Sequence, residues 1–333
     1  MPTGNDGMNT WRTLTRNALA LLALAGGTVL AQTFSSKPIT FVVPWPAGGP
    51  ADLAARAVAN ELQTALGQAT IVLNPAGAGG SIGTTKALAA PADGHTIIVS
   101  SQQELIMAPM VYKSAAYTPE DARAVALLGH TPLMLVARKD LPAASMAEFA
   151  ALMKASPKLL SYCTPGLGTL YPVVVEKMSA LAQAKALHVP YPAMGQCLND
   201  IAGGSVDFAV VPVAGPFPGY VDNGSIKAIA LLSNTPSARL PKLPPVTATK
   251  GFESLTTSFW VGFHVSAKTP DAVVEVLNKA ICAALAKPEV RGPIEAAGAT
   301  IFPPMAPKQA NDYYLKDAHE IEVLAKGMGF AKQ

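Results

Sequence analysis

Cys163 and His188 are the two residues in this chain whose types could make a nucleophile and its base, and a secreted thiol hydrolase is the chemistry they would serve. Cys163 ends one apolar run and His188 sits inside another, but no third group stands out to orient the imidazole. His95, His130, His264 and His319 are scattered without metal-ligand spacing, so no metal is expected. Starting from Gly77, Gly79 fits a G-x-G-x-x-G pattern, yet the last position is Ile82, and no glycine loop runs into G-K-[ST]. No nucleotide or other cofactor is expected, and the chain reads as a binder and not an enzyme.

What the glycine-bearing turns offer is main-chain donors. Phe41 to Asp52 reads as a short buried strand, a loop around Trp45, Pro46, Ala47, Gly48 and Gly49, and the first turn of a helix. Gly48 and Gly49 let backbone come close to a ligand, and Pro50 suits the first helical position, where a missing N–H costs nothing. Free amides and the positive end of a helix dipole suit an anion, above all a carboxylate. No Lys or Arg lies in the loop, so backbone amides and water would hold the acid. Trp45 lies over the ligand or caps the core after the buried strand, and the glycines beside it favour the cleft. Asp52 either holds the loop or meets an amino or hydroxyl group of the ligand. Further contacts are expected from Ala78 and Gly79 in the turn 74–83, from Ser101 and Gln102 at a strand end, and from Gly166 and Gly168 in a second flexible turn. Thr169 can donate to a carboxylate or cap its helix, and the Tyr191 ring can wall the cleft or pack in the core.

The elements that must position these turns follow from periodicity. Strands are expected over 39–43, 71–73 and 96–99, and a helix over 51–66 carries Ala54, Val58, Leu62 and Leu66 on one stripe. This βαβαβ order implies a parallel sheet whose carboxyl edge gathers the first three loops. A second α/β unit follows, with a capping box at Ser145-Met146-Ala147-Glu148 and strands over 160–163, 187–189 and 206–211. Pro212, Pro216 and Pro218 argue against a helix after it. Another strand over 259–265, a helix over 271–285 and a last helix over 307–326 return the chain to its first half. The economical arrangement is two α/β lobes joined by two crossing strands, with 37–130 and 260–333 in one lobe and 131–259 in the other.

At 333 residues, half apolar and 14% charged, the chain is long enough for two such lobes. Its net charge of +3 comes from 25 basic and 22 acidic residues without runs, which excludes an electrostatic footprint for nucleic acid. Arg12 and Arg16 precede the apolar run 18–25, and Val29-Leu30-Ala31 is a small-residue cleavage site, so a signal peptide cleaved after Ala31 and a periplasmic or secreted product are expected. Gly26, Gly27 and Thr28 interrupt the run well short of the roughly 20 apolar residues of a membrane span. Asp6 is unusual in such a leader and leaves Met1 and Met8 as alternative starts. Cys163 and Cys197 either pair or remain buried thiols, and Cys282 is left over.

The motifs together resemble the solute-binding proteins of tripartite tricarboxylate transporters, the TctC or Bug family. They are Lys37-Pro38-Ile39 into Val43-Pro44-Trp45-Pro46-Ala47-Gly48-Gly49 with Asp52, Ala55 and Arg56; Asn74 with Gly77-Ala78-Gly79-Gly80 and Ile82-Gly83; and Asp93-Gly94. Gly166, Gly168 and Thr169 follow, then His188-Val189-Pro190-Tyr191, Gly203-Gly204 with Val206-Asp207, and Thr269-Pro270. The resemblance implies a type II periplasmic binding protein fold closing on a small organic acid held largely by amides and water. It also implies delivery to two membrane subunits of a secondary transporter, with docking to a membrane signalling partner as the alternative. The chain departs from the family pattern at Pro75-Ala76 (usually Arg-Pro), Pro172 (often His), Pro192-Ala193 (usually Lys-Gly) and Val211 (often Asp). Each change makes the second lobe's face or its neighbourhood less polar.

Overall fold

Alternation of β-branched residues with short polar turns builds β1 (Ile39–Val42), β2 (Thr70–Leu73) and β3 (Thr96–Ser101), which pair in parallel in the order β2-β1-β3. The computed structural model describes residues 37–48, 50–166 and 168–326; the leader, its cleavage site and Gly49 lie outside them. Helix α1 (Pro50–Leu66) buries Ala54, Val58 and Leu62 against this sheet, and α2 (Ser81–Leu88) opens from the glycine turn after β2. With β-strands feeding helices in this way, the loops after β1, β2 and β3 share one edge.

The chain then crosses to its second half in a single strand. β4 (Ala122–Arg138) is 17 residues long, and its first part pairs antiparallel with β9 (Ser258–Ser266), which also lies antiparallel to β3. Its last part, from Leu133, pairs instead with β7 (Phe208–Pro212) and β8 (Ile226–Leu231). The register slips twice in the first part, between Ala124 and Ala126 and between Leu127 and Gly129, and such bulges sharpen a strand's bend and twist. The second sheet continues through β5 (Leu160–Thr164) and β6 (Ala186–Pro190), parallel to each other. The return crossing is the loop 232–257 leading into β9, with two short 3-10 turns.

Helices α3 (Met146–Ala155), α4 (Leu170–Ala182) and α5 (Met194–Ala202) cover the second sheet. Ser145 caps α3 as its box predicts, its hydroxyl accepting from the Glu148 amide at 3.3 Å while Glu148 reaches back to the Ala144 amide at 2.7 Å. The prolines after β7 start a helix where none was expected: α6 (Phe217–Asp222) carries Pro218 in its first turn, where no intrahelical amide is needed. Two elements had no clear period in the sequence, β8 and α8 (Pro288–Ala296), which follows α7 (Asp271–Ala286).

Two apolar cores result. One lies between the first sheet, α1 and α7; the other fills the second half. The last helix, α9 (Pro307–Lys326), buries Tyr314, Ala318, Ile321 and Ala325 in the second core, as do Leu105, Ile106 and Met107 from the turn after β3. α9 is pinned to β4 by a hydrogen bond from the Ala124 amide to Asn311 (3.0 Å) and to β9 by one from Trp260 Nε1 to Asp317 (2.7 Å).

Candidate functional site

The loop after β1 is held from beneath by one carboxylate. Asp52, 2% exposed, accepts from the Gly48 amide at 2.9 Å, from Arg56 Nε and Nη2 at 3.0 Å each, and from Asn74 Nδ2 at 3.0 Å. Asn74 Nδ2 also donates to the Trp45 carbonyl at 3.1 Å, so the loops after β1 and β2 are tied together. Burial alone would raise the Asp52 carboxyl, but the bonds from Arg56, Gly48 and Asn74 hold it below its ordinary value. Of the two roles the sequence left open, Asp52 performs the loop-holding one, and the Gly48 amide is consumed by it.

At the end of β3 a second carboxylate is fully buried. Glu104, 1% exposed, accepts on Oε2 from the Ser101 amide at 2.7 Å and from Ser101 Oγ at 2.5 Å. Burial pushes this carboxyl up to about 7, with the Ser101 bonds pulling the other way. Ser100 Oγ lies 3.1 Å from His264 Nδ1. The polar atoms of the first half's sheet edge are thus largely engaged with protein groups.

These two loops face the second half across a cavity of about 710 Å³. The first half contributes Trp45, Pro46, Ala47, Gly48, Asp52 and Ala51, together with Ser100, Ser101, Gln103 and Glu104. From the second half come Pro165, Thr169 and Tyr171 after β5 and Pro192 after β6, and β9 supplies Phe259 and Val261 as the floor. Thr169 is the N-cap of α4 in extended conformation, yet its hydroxyl donates to the Gly166 carbonyl at 2.8 Å and caps nothing. The first-turn amides of α4 therefore have no capping side chain, and they stand at the positive end of the helix dipole. Among the described residues no Lys, Arg or His lines the cavity.

Several expected contacts lie elsewhere. Gln102 is buried, its Nε2 donating to the Ser258 carbonyl (2.8 Å) and its Oε1 accepting from the Trp260 amide (3.0 Å), so it ties β3 to β9. Tyr191 gives its hydroxyl to Asp200. Val211 is fully buried in β7, opposite Met134. Gly166 holds the turn, its amide donating to Thr164 Oγ1 at 3.2 Å. Ala78, Gly79 and Gly168 do not line the cavity; the two glycines meet Tyr112 instead. A Cβ on Gly79 would come within 2.5 Å of Tyr112 Cε2, and one on Gly168 within 2.9 Å of the same atom. The Tyr112 ring is therefore wedged between one turn from each half and bridges one end of the cleft.

Sequence reasoning passed over Glu104, Tyr112, Tyr171 and Phe259. Only Glu104 left a signal, since Ser101-Gln102-Gln103-Glu104 has the spacing of a capping box. The thiol hydrolase fails on covalent grounds. Cys163 is bonded to Cys197, with Cα atoms 5.7 Å apart, and His188 Nε2 lies 2.7 Å from Thr164 Oγ1.

Two α/β halves sharing a bent ribbon and facing each other across a cavity define a solute-binding protein of the type II periplasmic fold. Residues 54–319 match the family model described as Tripartite tricarboxylate transporter family receptor. Protein BugT of Bordetella pertussis is 31% identical over 274 residues, 82% of this chain and 83% of that one. The solved structure of the periplasmic binding protein BugD is 28% identical and superposes with a TM-score of 0.70, covering 90% of this chain and 99% of that one. MatC from Rhodopseudomonas palustris with bound malate is 27% identical, with a TM-score of 0.70 over 86% of this chain and 98% of that one. The chain belongs to the tripartite tricarboxylate transporter receptor family, the one its motifs resemble.

Proposed function

We propose that this chain is an extracytoplasmic receptor that captures a small carboxylate between its two halves and delivers it to the membrane subunits of a tripartite transporter. The observation that carries the reading is the cavity itself, with an uncapped helix start on one side and a clasped, aromatic-bearing loop on the other. Residues 37–130 with 260–306 make one lobe and residues 131–259 the other, with β4 as the hinge; α9, which the sequence put with the first lobe, packs into the core of the second. The ligand contacts are assigned to Trp45, Pro46, Ala47, Gly48, Ser101 and Thr169, while Asp52 fixes the loop from behind. The malate held by MatC makes a short organic acid the first candidate class. The disulfide and the family's periplasmic members support an oxidising, extracytoplasmic location.

Closure discriminates between solutes because each polar group buried without a partner costs about 1 to 3 kcal/mol. Trp45 stands at the cavity, so its emission reports occupancy. Titration with a panel of two- to six-carbon organic acids is expected to give a saturable change for at least one member, and Trp45→Phe to abolish it. A panel in which no acid saturates the signal or raises the melting temperature would overturn the proposal.

A further inference from the structure

A buried carboxyl stands in the first-half wall of the cavity, that of Glu104. On the second-half side Thr169 and Tyr171 stand at the wall where α4 begins, a helix start without a capping side chain whose third residue, Pro172, has no N–H to give. Donors dominate there, and a carboxylate is the complementary group. On the first-half side the Gly48 amide is used by Asp52, and the Ser101 amide and hydroxyl by Glu104. Among the groups on that side is the Glu104 carboxyl, an acceptor when ionised. Asp52 differs from it in being neutralised by Arg56, whereas no ion pair among the described residues includes Glu104. A second carboxylate of a ligand placed there would meet a like charge in a buried setting.

Resting on the receptor reading above, we infer that Glu104 determines specificity: the cleft takes a bipolar solute with one carboxylate toward the start of α4 and a hydrogen-bond donor, amide or ammonium, toward Glu104, in preference to a dicarboxylate. The walls between the two ends are apolar, with Trp45, Pro165, Pro192, Phe259 and Val261 supplying rings and methyls. They suit the carbon stem of such a solute and offer no cation to a second acid group. Burial that lifts the Glu104 carboxyl to about 7 marks the same lack of a compensating charge.

Three four-carbon probes test this by calorimetry at pH 8: succinate, succinamate and 4-aminobutanoate, on the full mature chain and on Glu104→Gln. In the wild type, succinamate or 4-aminobutanoate is expected to bind at least about 10-fold more tightly than succinate. Which of the two is tighter tells an amide-selective site from an ammonium-selective one. In Glu104→Gln the ratio is expected to fall to within about threefold, chiefly because succinate improves. A group that only shaped the loop would weaken all three probes together. Succinate as the tightest probe in the wild type, or an unchanged ratio in the variant, overturns the inference. The wild-type ranking decides by itself if the variant does not fold. Binding of malate without either monocarboxylate sinks this inference alone, whereas silence from every acid sinks the receptor reading with it.

Discussion

Gly168→Ala is expected to weaken solute binding while leaving the unliganded protein as stable as before. Gly168 lies outside the left-handed region of φ, so alanine fits its backbone without strain. The added Cβ would stand 2.9 Å from Tyr112 Cε2, 3.0 Å from its hydroxyl and 3.3 Å from Cζ, all tighter than ordinary contact. The ring cannot swing aside toward the first half, because Gly79 already sits so close that a Cβ there would be 2.5 Å away. The turns of the two halves must therefore separate by roughly 0.5 to 1 Å, a misfit of the kind that costs about 1 to 3 kcal/mol in packed interiors. The contact is made between the two halves and not within either, so the penalty falls on bringing them together, and the dissociation constant rises about 5- to 150-fold. The assay is the Trp45 titration with whichever solute saturates the wild type, run alongside urea unfolding without solute. Tyr112→Ala in the same chain removes the obstacle, so adding Gly168→Ala to it should change affinity by less than about twofold, a coupling that a double-mutant cycle measures. Wild-type affinity in Gly168→Ala, or an equal loss in the Tyr112→Ala background, would refute the wedge.

Two further outcomes follow from the buried groups. Glu104 titrates near 7 in the folded chain against an ordinary 4.5, so the folded state holds its proton more tightly than the unfolded one. Its cost is absent below about 4.5, grows as pH rises and is complete above about 7, reaching roughly 3 kcal/mol. Glu104→Gln should accordingly gain stability relative to wild type between pH 5 and pH 8 in urea unfolding, and a pH-independent difference would contradict this. The Cys163–Cys197 bond closes a separation of 34 residues, which the chain-entropy account values at about 3 to 4 kcal/mol. Reductant or the Cys163→Ser/Cys197→Ser variant should lower the urea midpoint, and an unchanged midpoint would contradict it.

Hydrophobic period and turn chemistry exposed most of the frame. The stripe at Ala54, Val58 and Leu62, the box at Ser145 and the buried face Tyr314, Ala318, Ile321 of the last helix were all readable, because each is a local pattern. The loop around Trp45 was readable as well, since glycine next to a helix start has few uses. Less legible were the partners that long-range geometry supplies. Gln102 looked like a ligand contact and proved to clamp β9, and Tyr191 looked like a wall and proved to bond Asp200. Glu104 went unnoticed because a buried carboxyl is recognisable only once its surroundings are known. Tyr112 is wedged between glycines that lie 33 and 56 positions away along the chain, a distance no local pattern spans. The prolines at 216 and 218 misled because proline forbids a helix interior and favours a helix start.

β4 runs without a break from one sheet into the other, bonded to β9 along its first stretch and to β7 and β8 along its last. The joint between the halves is consequently a torsion bar and not a loose tether. Spreading the jaws winds or unwinds a ladder whose rungs stay intact, so the movement is elastic, bounded in angle and reversible once the cargo has gone.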